Sequence, residues 1–251
     1  KLLLFEKSNA SVLVVDKSFI NIKLDKSKVC IYVQNPKLIF NKIYNNFFKE
    51  TISFGIHSSV IIHPEAQIDK NVLIEPNCVI GKSIINSGSI IKSNVSIGDN
   101  VTIGKNVLIN SGCVLGADGY GYLRDENKFP IQFPHIGGII IEDFVDLGSN
   151  TSIDNGSLNP TIIGYGSKID NLVHIGHNVK IGKCVYIAAN SSIAGSSVIG
   201  NYSELWLGVS IADGINIGDN CNIGIGSVVI KSIESNKKCF GNPARVFSSI
   251  I

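Results

Sequence analysis

The chain has 251 residues, enough for one or two domains. Its 22 basic and 20 acidic side chains give a net charge of +2, which argues against a dedicated nucleic-acid binder. Hydrophobic residues make up 44% and charged residues 17%, which excludes a disordered chain. No window of about 18 uncharged apolar residues offers a membrane span.

The first 55 residues predict a small α/β domain. Runs of β-branched and apolar residues over 11–15 and 28–33 are typical of strands. A helix is predicted from Pro36 to about Phe48, with Pro36 in its first turn.

From residue 56 to 235, aliphatic residues recur every six positions. Neither a helix nor a hairpin has this period, but a hexapeptide parallel β-helix does, with three hexads in each 18-residue coil. We expect the aliphatic side chain to point inward and the glycine that often follows it to allow a tight turn. The longest unbroken run has twelve members: Ile163, Ile169, Ile175, Ile181, Ile187, Ile193, Ile199, Leu205, Ile211, Ile217, Ile223 and Val229.

Two segments depart from this period. Residues 116–138 form an insertion that opens with Gly116-Ala-Asp-Gly-Tyr-Gly-Tyr122, and long excursions from a regular fold often carry function. Residues 236–251 are expected to form a C-terminal tail.

The six cysteines form no CxxC pair, so we expect reduced, mostly buried thiols rather than a zinc or redox site. The opening residues lack the pattern of a secretory signal. Together these features favour a cytoplasmic protein.

The histidines at 174 and 177 are the best candidates for chemistry. A metal site is not expected, because an i, i+3 pair in extended chain points to opposite faces and no third ligand is identifiable. Gly195 lies 18 residues after His177, so the two should stack on neighbouring coils about 5 Å apart. A histidine base beside an accessible N–H suits acyl transfer.

Three motifs extend this interpretation: the opening of the insertion, Thr151-Ser-Ile-Asp-Asn-Gly156, and Lys168-Ile-Asp-Asn-Leu-Val-His-Ile-Gly-His-Asn-Val179. In order and spacing they resemble the UDP-3-O-acylglucosamine N-acyltransferases of lipid A synthesis, over roughly residues 5–230. The resemblance implies a left-handed β-helix, a homotrimer with active sites between subunits, and transfer of a (3-hydroxy)acyl group. The donor would be an acyl carrier protein 4′-phosphopantetheine thioester and the acceptor the 2-amine of a UDP-sugar, with no bound cofactor or metal.

Carried over to this chain, the resemblance implies that His177 is the catalytic base, Asp170 the acid that orients it and Gly195 the oxyanion donor. Substrate contacts would come from a second group of residues: Asp118, Tyr120 and Tyr122 in the insertion, His174 beside the base, and Asn35 and Tyr32 at the nucleotide.

Two departures keep other functions open. Gly214 stands where the family has a second histidine, and Phe240-Gly-Asn-Pro-Ala-Arg-Val246 is typical of hexapeptide acetyltransferases that use acetyl-CoA. The alternatives are therefore a nucleotide-amino-sugar N-acetyltransferase, or a non-catalytic β-helix scaffold.

Overall fold

The computed structural model describes residues 7–20, 28–48 and 52–249, which fall in two units, Lys1–Ile52 and Ser53–Ile251. In the first unit, β1 (Val12–Asp16) pairs in parallel with β2 (Val29–Val33), and a single 3-10 turn (Lys17–Phe19) follows β1. Helix α1 (Pro36–Phe47) begins where the side chain of Asn35 accepts a hydrogen bond from the N–H of Leu38 at 3.1 Å. Both predicted strands and the predicted helix are confirmed.

The second unit is the predicted left-handed parallel β-helix, built from three sheets. The nine-stranded sheet contains β4 (Ile61–Ile62), β7 (Val79–Ile80), β10 (Ser96–Ile97), β13 (Val114–Ala117), β18 (Ser152–Asp154), β21 (His174–Ile175), β24 (Ser192–Ile193), β27 (Ser210–Ile211) and β30 (Val228–Val229). The eight-stranded sheet contains β5 (Gln67–Ile68), β8 (Ile84–Ile85), β11 (Val101–Ile103), β16 (Ile139–Ile141), β19 (Thr161–Ile163), β22 (Lys180–Ile181), β25 (Val198–Ile199) and β28 (Asn216–Ile217).

The eleven-stranded sheet forms the third face. Its strands are β3 (Gly55–Ile56), β6 (Leu73–Ile74), β9 (Ile90–Ile91), β12 (Leu108–Ile109), β17 (Asp146–Leu147), β20 (Lys168–Ile169), β23 (Tyr186–Ile187), β26 (Glu204–Leu205), β29 (Asn222–Ile223), β31 (Lys237–Phe240) and β32 (Arg245–Ser249). The last two lie in the segment that the sequence sets apart as a tail: β31 pairs with β29, and β32 with β31.

The core is the column of inward-pointing aliphatic side chains that the six-residue period predicts. All twelve members of the run from Ile163 to Val229 are buried. Each such burial removes apolar surface from water and stabilises the fold by about 1.5–3 kcal/mol.

Gly164, which follows the inward Ile163, serves close packing of coils rather than an unusual backbone angle. Gly164 has no positive φ, yet a Cβ at this position would lie 2.5 Å from the carbonyl oxygen of Gly182 on the next coil. Two positions further along the hexad, the backbone does enter the left-handed region, as at Asn178 (φ 61°) and Asn190 (φ 60°). Asparagine tolerates this conformation better than most residues.

The insertion leaves the β-helix at the corner between the nine-stranded and the eight-stranded sheets, after β13. It contains an antiparallel hairpin of β14 (Tyr122–Arg124) and β15 (Pro130–Gln132) and returns at β16. The turn that carries His177 joins β21 to β22 and so lies at the same corner. The insertion is thereby placed beside His177.

Candidate active site

The imidazole of His177 is held by the side chain that follows it in the chain. Nδ1 of His177 lies 3.1 Å from Oδ1 of Asn178. The orientation of the Asn178 amide is fixed independently, because Nδ2 donates to the carbonyl of Asn159 at 2.7 Å and Oδ1 accepts from the N–H of Ser157 at 3.1 Å. Since Oδ1 is an acceptor, Nδ1 of His177 carries the proton, and the lone pair of neutral His177 is on Nε2.

Nε2 of His177 faces Gly195 on the next coil, as the 18-residue period predicts. A Cβ on Gly195 would lie 2.7 Å from Nε2 and 2.6 Å from Cε1 of His177, so a side chain here would collide with the ring. Within the described residues, the N–H of Gly195 donates to no acceptor. The site therefore combines a nitrogen lone pair with an unused backbone donor.

Three imidazoles gather near one buried carboxylate. The rings of His135 and His177 have centroids 5.2 Å apart. Nε2 of His174 lies 3.7 Å from Oδ2 of Asp154, and Nδ1 of His174 lies 3.0 Å from Oγ of Ser152. Burial raises the pKa of the Asp154 carboxyl above its ordinary value, although the nearby imidazoles of all three histidines act in the opposite direction.

His135 and Asn155, in the same cluster, have buried polar atoms that lack hydrogen-bond partners among the described residues. Among the described residues, neither ring nitrogen of His135 has a hydrogen-bond partner, and Oδ1 of Asn155 has none either. His135 is 6% exposed. The backbone of the insertion packs over it, since a Cβ on Gly121 would lie 2.9 Å from Cε1 of His135.

The insertion residues predicted to contact substrate lie on and beside the hairpin. Oδ2 of Asp118 accepts from Nε2 of Gln132 at 3.0 Å, which ties the start of the insertion to β15. Tyr120 is 89% exposed, and its ring lies edge-to-face with that of Tyr122 at 5.3 Å. With Arg124, the two tyrosines line a cleft of about 440 Å³.

Asp170 occupies a different corner of the β-helix, between the eleven-stranded and the nine-stranded sheets. Strand β21 and its flanking turns separate it from His177 in the same chain. Oδ1 of Asp170 accepts from the N–H of Asn171 at 2.7 Å. Asp170 lines an open cleft of about 570 Å³, together with Tyr186 and Trp206 on the eleven-stranded face.

The two residues predicted at the nucleotide lie in the first unit. Tyr32 is in β2, and the side chain of Asn35 is used as the cap of α1. In the part of the chain that the structure describes, no group of three or more His, Cys, Asp or Glu side chains could hold a metal ion. Nor is any described helix long and apolar enough to cross a membrane.

Comparison with known proteins locates the similarity in this part of the β-helix. Residues 160–195, which include His177 and Gly195, match the family described as bacterial transferase hexapeptide (six repeats). The chain carries the hexapeptide transferase repeat. The predicted resemblance to UDP-3-O-acylglucosamine N-acyltransferases is confirmed by curated relatives of that name.

Two of these relatives come from Campylobacter lari and Methylobacillus flagellatus. The first is 48% identical over 88 residues, which are 35% of this chain and 28% of the relative. The second is 49% identical over 89 residues, which are 36% of this chain and 25% of the relative. The aligned segment thus spans about a quarter of each relative's length.

Solved structures match a larger part of this chain than the curated relatives do. The UDP-N-acetylglucosamine O-acyltransferase of Moraxella catarrhalis has a TM-score of 0.70 and 26% identity, covering 77% of this chain and 74% of the other. The UDP-N-acetylglucosamine acyltransferase of Francisella novicida has a TM-score of 0.71 and 26% identity, covering 78% and 70%. These neighbours confirm the β-helical fold.

Four residues of the site were not predicted from the sequence: His135, Asp154, Asn155 and Asn178. The motif Thr151–Gly156 contains two of them, but its letters alone do not reveal which side chains become buried beside the histidines. The contact of Asn178 could have been predicted from the sequence, because the side chain of an asparagine directly after a candidate histidine base can bind Nδ1 of that histidine.

Proposed function

We propose that the chain is an N-acyltransferase that moves a (3-hydroxy)acyl group from a thioester to the 2-amine of a UDP-(3-O-acyl)glucosamine, as in lipid A synthesis. One observation carries the proposal: the lone pair on Nε2 of His177 faces Gly195, whose N–H is unused. Acyl transfer needs a base and an oxyanion donor on neighbouring sides of the reacting carbon.

In the proposed reaction, Nε2 of His177 takes a proton from the acceptor amine, whose nitrogen attacks the thioester carbonyl. The N–H of Gly195 donates to the oxyanion that develops on the carbonyl oxygen, and such donors are worth about 3–4 kcal/mol. The C–S bond then breaks, and the leaving thiolate takes the proton from the imidazolium. General-base assistance of this kind typically contributes about 10²–10⁴ in rate.

The remaining contacts follow from the placement of the other residues. Tyr120 and Tyr122, exposed on the insertion, would contact the acceptor together with Asp118, and His174 would support the site through Asp154. Asn35 and Tyr32 would contact the uridine from the first unit. No nucleic-acid partner is proposed, and the site of action would be the cytoplasm.

We further propose a homotrimer, because Asp170 and His177 of one chain lie at different corners of the β-helix. A threefold assembly would bring the Asp170 corner of one copy to the His177 corner of the next. Asp170 would then act on the site from the neighbouring copy. Within its own chain, His177 is oriented by Asn178.

The donor is proposed to be the 4′-phosphopantetheine thioester of an acyl carrier protein. Thermal unfolding with UDP-N-acetylglucosamine, acetyl-CoA and a 3-hydroxyacyl carrier protein, each added alone, tests this, since a ligand of the folded state raises its Tm. Shifts with the nucleotide sugar and the carrier protein support the proposal. A shift with acetyl-CoA instead indicates a nucleotide-amino-sugar N-acetyltransferase, and no shift with any of them indicates a scaffold.

The role of His177 is tested with His177→Ala. Acyl transfer should fall by at least about 100-fold, in line with the loss of a general base. The Tm should stay within a few degrees of wild type, because the half-buried ring fills no part of the aliphatic column. Activity within threefold of wild type would reject the assignment.

A further inference from the structure

Asp213 stands on the far side of Gly195 from His177. It lies in the turn between β27 and β28, one coil beyond Gly195 and two beyond His177. The point where a Cβ would stand on Gly195 is 3.0 Å from Oδ1 of Asp213 and 2.7 Å from Nε2 of His177. A carboxylate and the candidate base therefore lie close together across Gly195, whose lack of a side chain lets both approach.

Other carboxylates at the same position of a turn hold the backbone of the preceding coil. Asp99 accepts from the N–H of Lys82 at 2.6 Å, Asp143 from that of Lys105 at 2.7 Å, and Asp219 from that of Asn201 at 2.6 Å. Asp213 is exposed and, within the described residues, takes part in neither a hydrogen bond nor an ion pair. Its carboxylate thus accepts no hydrogen bond from a backbone N–H of the preceding coil, unlike the other three carboxylates.

The space beside Asp213 is open at Gly214. The next residue, Gly214, has φ +67°, and no described atom lies within 4 Å of the position that a Cβ would take there. The turn beside Asp213 therefore leaves room for a ligand group.

We propose that Asp213 binds the ammonium form of the acceptor amine and holds it beside Nε2 of His177. The inference rests on the proposed transfer to an amine and adds to it the residue that selects an amine over a hydroxyl. The bound ammonium gives one proton to solvent and becomes the nucleophilic amine. Nε2 of His177 takes a second proton as this amine attacks the thioester, and the leaving thiolate receives that proton. A hydroxyl carries no charge for Asp213 to bind, and hydrogen bonds between ions are roughly twice as strong as neutral ones.

The solved neighbours and the curated relatives differ in this respect. The Moraxella catarrhalis neighbour is named an O-acyltransferase, whereas the relatives are named N-acyltransferases. On the same β-helical fold, a residue that recognises the charge of an ammonium group would favour an amine acceptor over a hydroxyl acceptor.

The test is calorimetric titration of the full chain with UDP-glucosamine, which has a free amine, and UDP-N-acetylglucosamine, whose amine is blocked. Titration at about pH 6.5 keeps an amine of ordinary pKa, about 7.7–8.0, protonated. We expect the wild type to bind the free amine about tenfold more tightly, which corresponds to one charge-assisted hydrogen bond. Asp213→Asn should bring the ratio of the two Kd values close to one and leave binding of the blocked sugar unchanged.

Asp99→Asn is the matched control, because it removes a carboxylate at the same corner of the β-helix while its amide can still accept from Lys82. In this control variant, the ratio of the two Kd values should equal that of the wild type. If both sugars bind and Asp213→Asn leaves the ratio unchanged, the role of Asp213 is overturned and the proposed function stands. If the wild type binds neither sugar, the proposed function fails and this inference fails with it.

Discussion

Nε2 of His177 lies 2.7 Å from the position that a Cβ would occupy on Gly195, although 18 residues separate the two in the chain. The relationship arises from one full coil of the β-helix, which returns the backbone to the same corner one strand further along. A residue with any side chain would push the imidazole aside. The absence of a side chain at 195 is therefore a condition for the candidate base to point where it does.

Gly195→Ala should lower kcat/KM by about 100-fold, because small displacements of a catalytic group can cost that much. The backbone at 195 is not in the left-handed region, so the Tm should fall only slightly. Steady-state kinetics and a thermal melt check both expectations.

Gly208→Ala is the control for this substitution. Gly208 has φ +67° with open space around it, so alanine there adds backbone strain of roughly 1–2 kcal/mol without touching His177. The control should lose stability and keep its activity. Equal kinetics for the two variants would contradict the packing of Gly195 against the imidazole.

Asn178→Gly should reduce kcat by about tenfold, since it removes the acceptor that keeps the proton on Nδ1 of His177, a hydrogen bond of about 0.5–1.5 kcal/mol. Glycine suits the φ of 61° at this position, so the backbone is not strained. Asn190→Gly is the matched control, because Asn190 has φ 60° and its side chain makes no hydrogen bond among the described residues. A similar loss of activity in both variants would show that the turn, and not the contact with His177, matters.

The fold and one contact of the site could be predicted because both follow from a constant period. Six residues per hexad place each aliphatic side chain inside, and 18 residues per coil place Gly195 on His177. The cluster around Asp154 could not be predicted in this way. The insertion interrupts the count between β13 and β16, and the approach of His135 to His177 depends on how the hairpin folds back.

The roles of two residue types in the turns were also beyond the sequence pattern. The glycine after each inward aliphatic residue was expected to relieve a tight turn, but at Gly164 its reason is contact with the next coil. The tight turn itself uses the left-handed residue two positions later, which is Asn178 in the candidate site. The six-residue period shows where glycine and asparagine recur. The reason for each residue is visible only in the structure, where neighbouring coils stack.

Asp154→Asn should stabilise the protein at neutral pH. Burial raises the pKa of Asp154 in the folded state, so between the unfolded value, about 3.9, and the raised value the folded state binds more protons. The free energy of unfolding of the wild type therefore falls as the pH rises through this window, whereas that of the variant does not. Urea titrations at several pH values between about 4 and 8 should show a difference that grows with pH.

A variant at Asp154 that is less stable than wild type at neutral pH would mean that attraction by His174, His177 and His135 outweighs the cost of burial.

Alkylation should distinguish the cysteines by burial. Cys78, Cys113, Cys221 and Cys239 are buried, and burial raises the pKa of each thiol, to about 11 for Cys113. The thiolate is the reactive form, so iodoacetamide at about pH 8 should leave these four unmodified in the native protein. Cys30 and Cys184 are partly exposed and should react. Peptide mass spectrometry before and after denaturation measures this, and native labelling of Cys113 would contradict the packing of the column.

Mixed trimers test whether Asp170 and His177 act together from different copies. His177→Ala and Asp170→Ala should each have low acyl-transfer activity on their own. If Asp170 serves the site of a neighbouring copy, refolding the two variants together in equal amounts should restore activity at about one site in four, the fraction expected from random assembly of a cyclic trimer. Such a site takes His177 from one variant chain and Asp170 from the other.

The control is a mixture of His177→Ala with the double variant that carries both substitutions, because it contains no intact His177. Its activity should stay at the level of His177→Ala alone. Recovery in the first mixture but not in the control would place the two residues in one shared site. Without recovery, in mixtures that sedimentation shows to be trimeric, Asp170 would have no part in the chemistry of a neighbouring copy, and Asn178 would remain the group that orients His177.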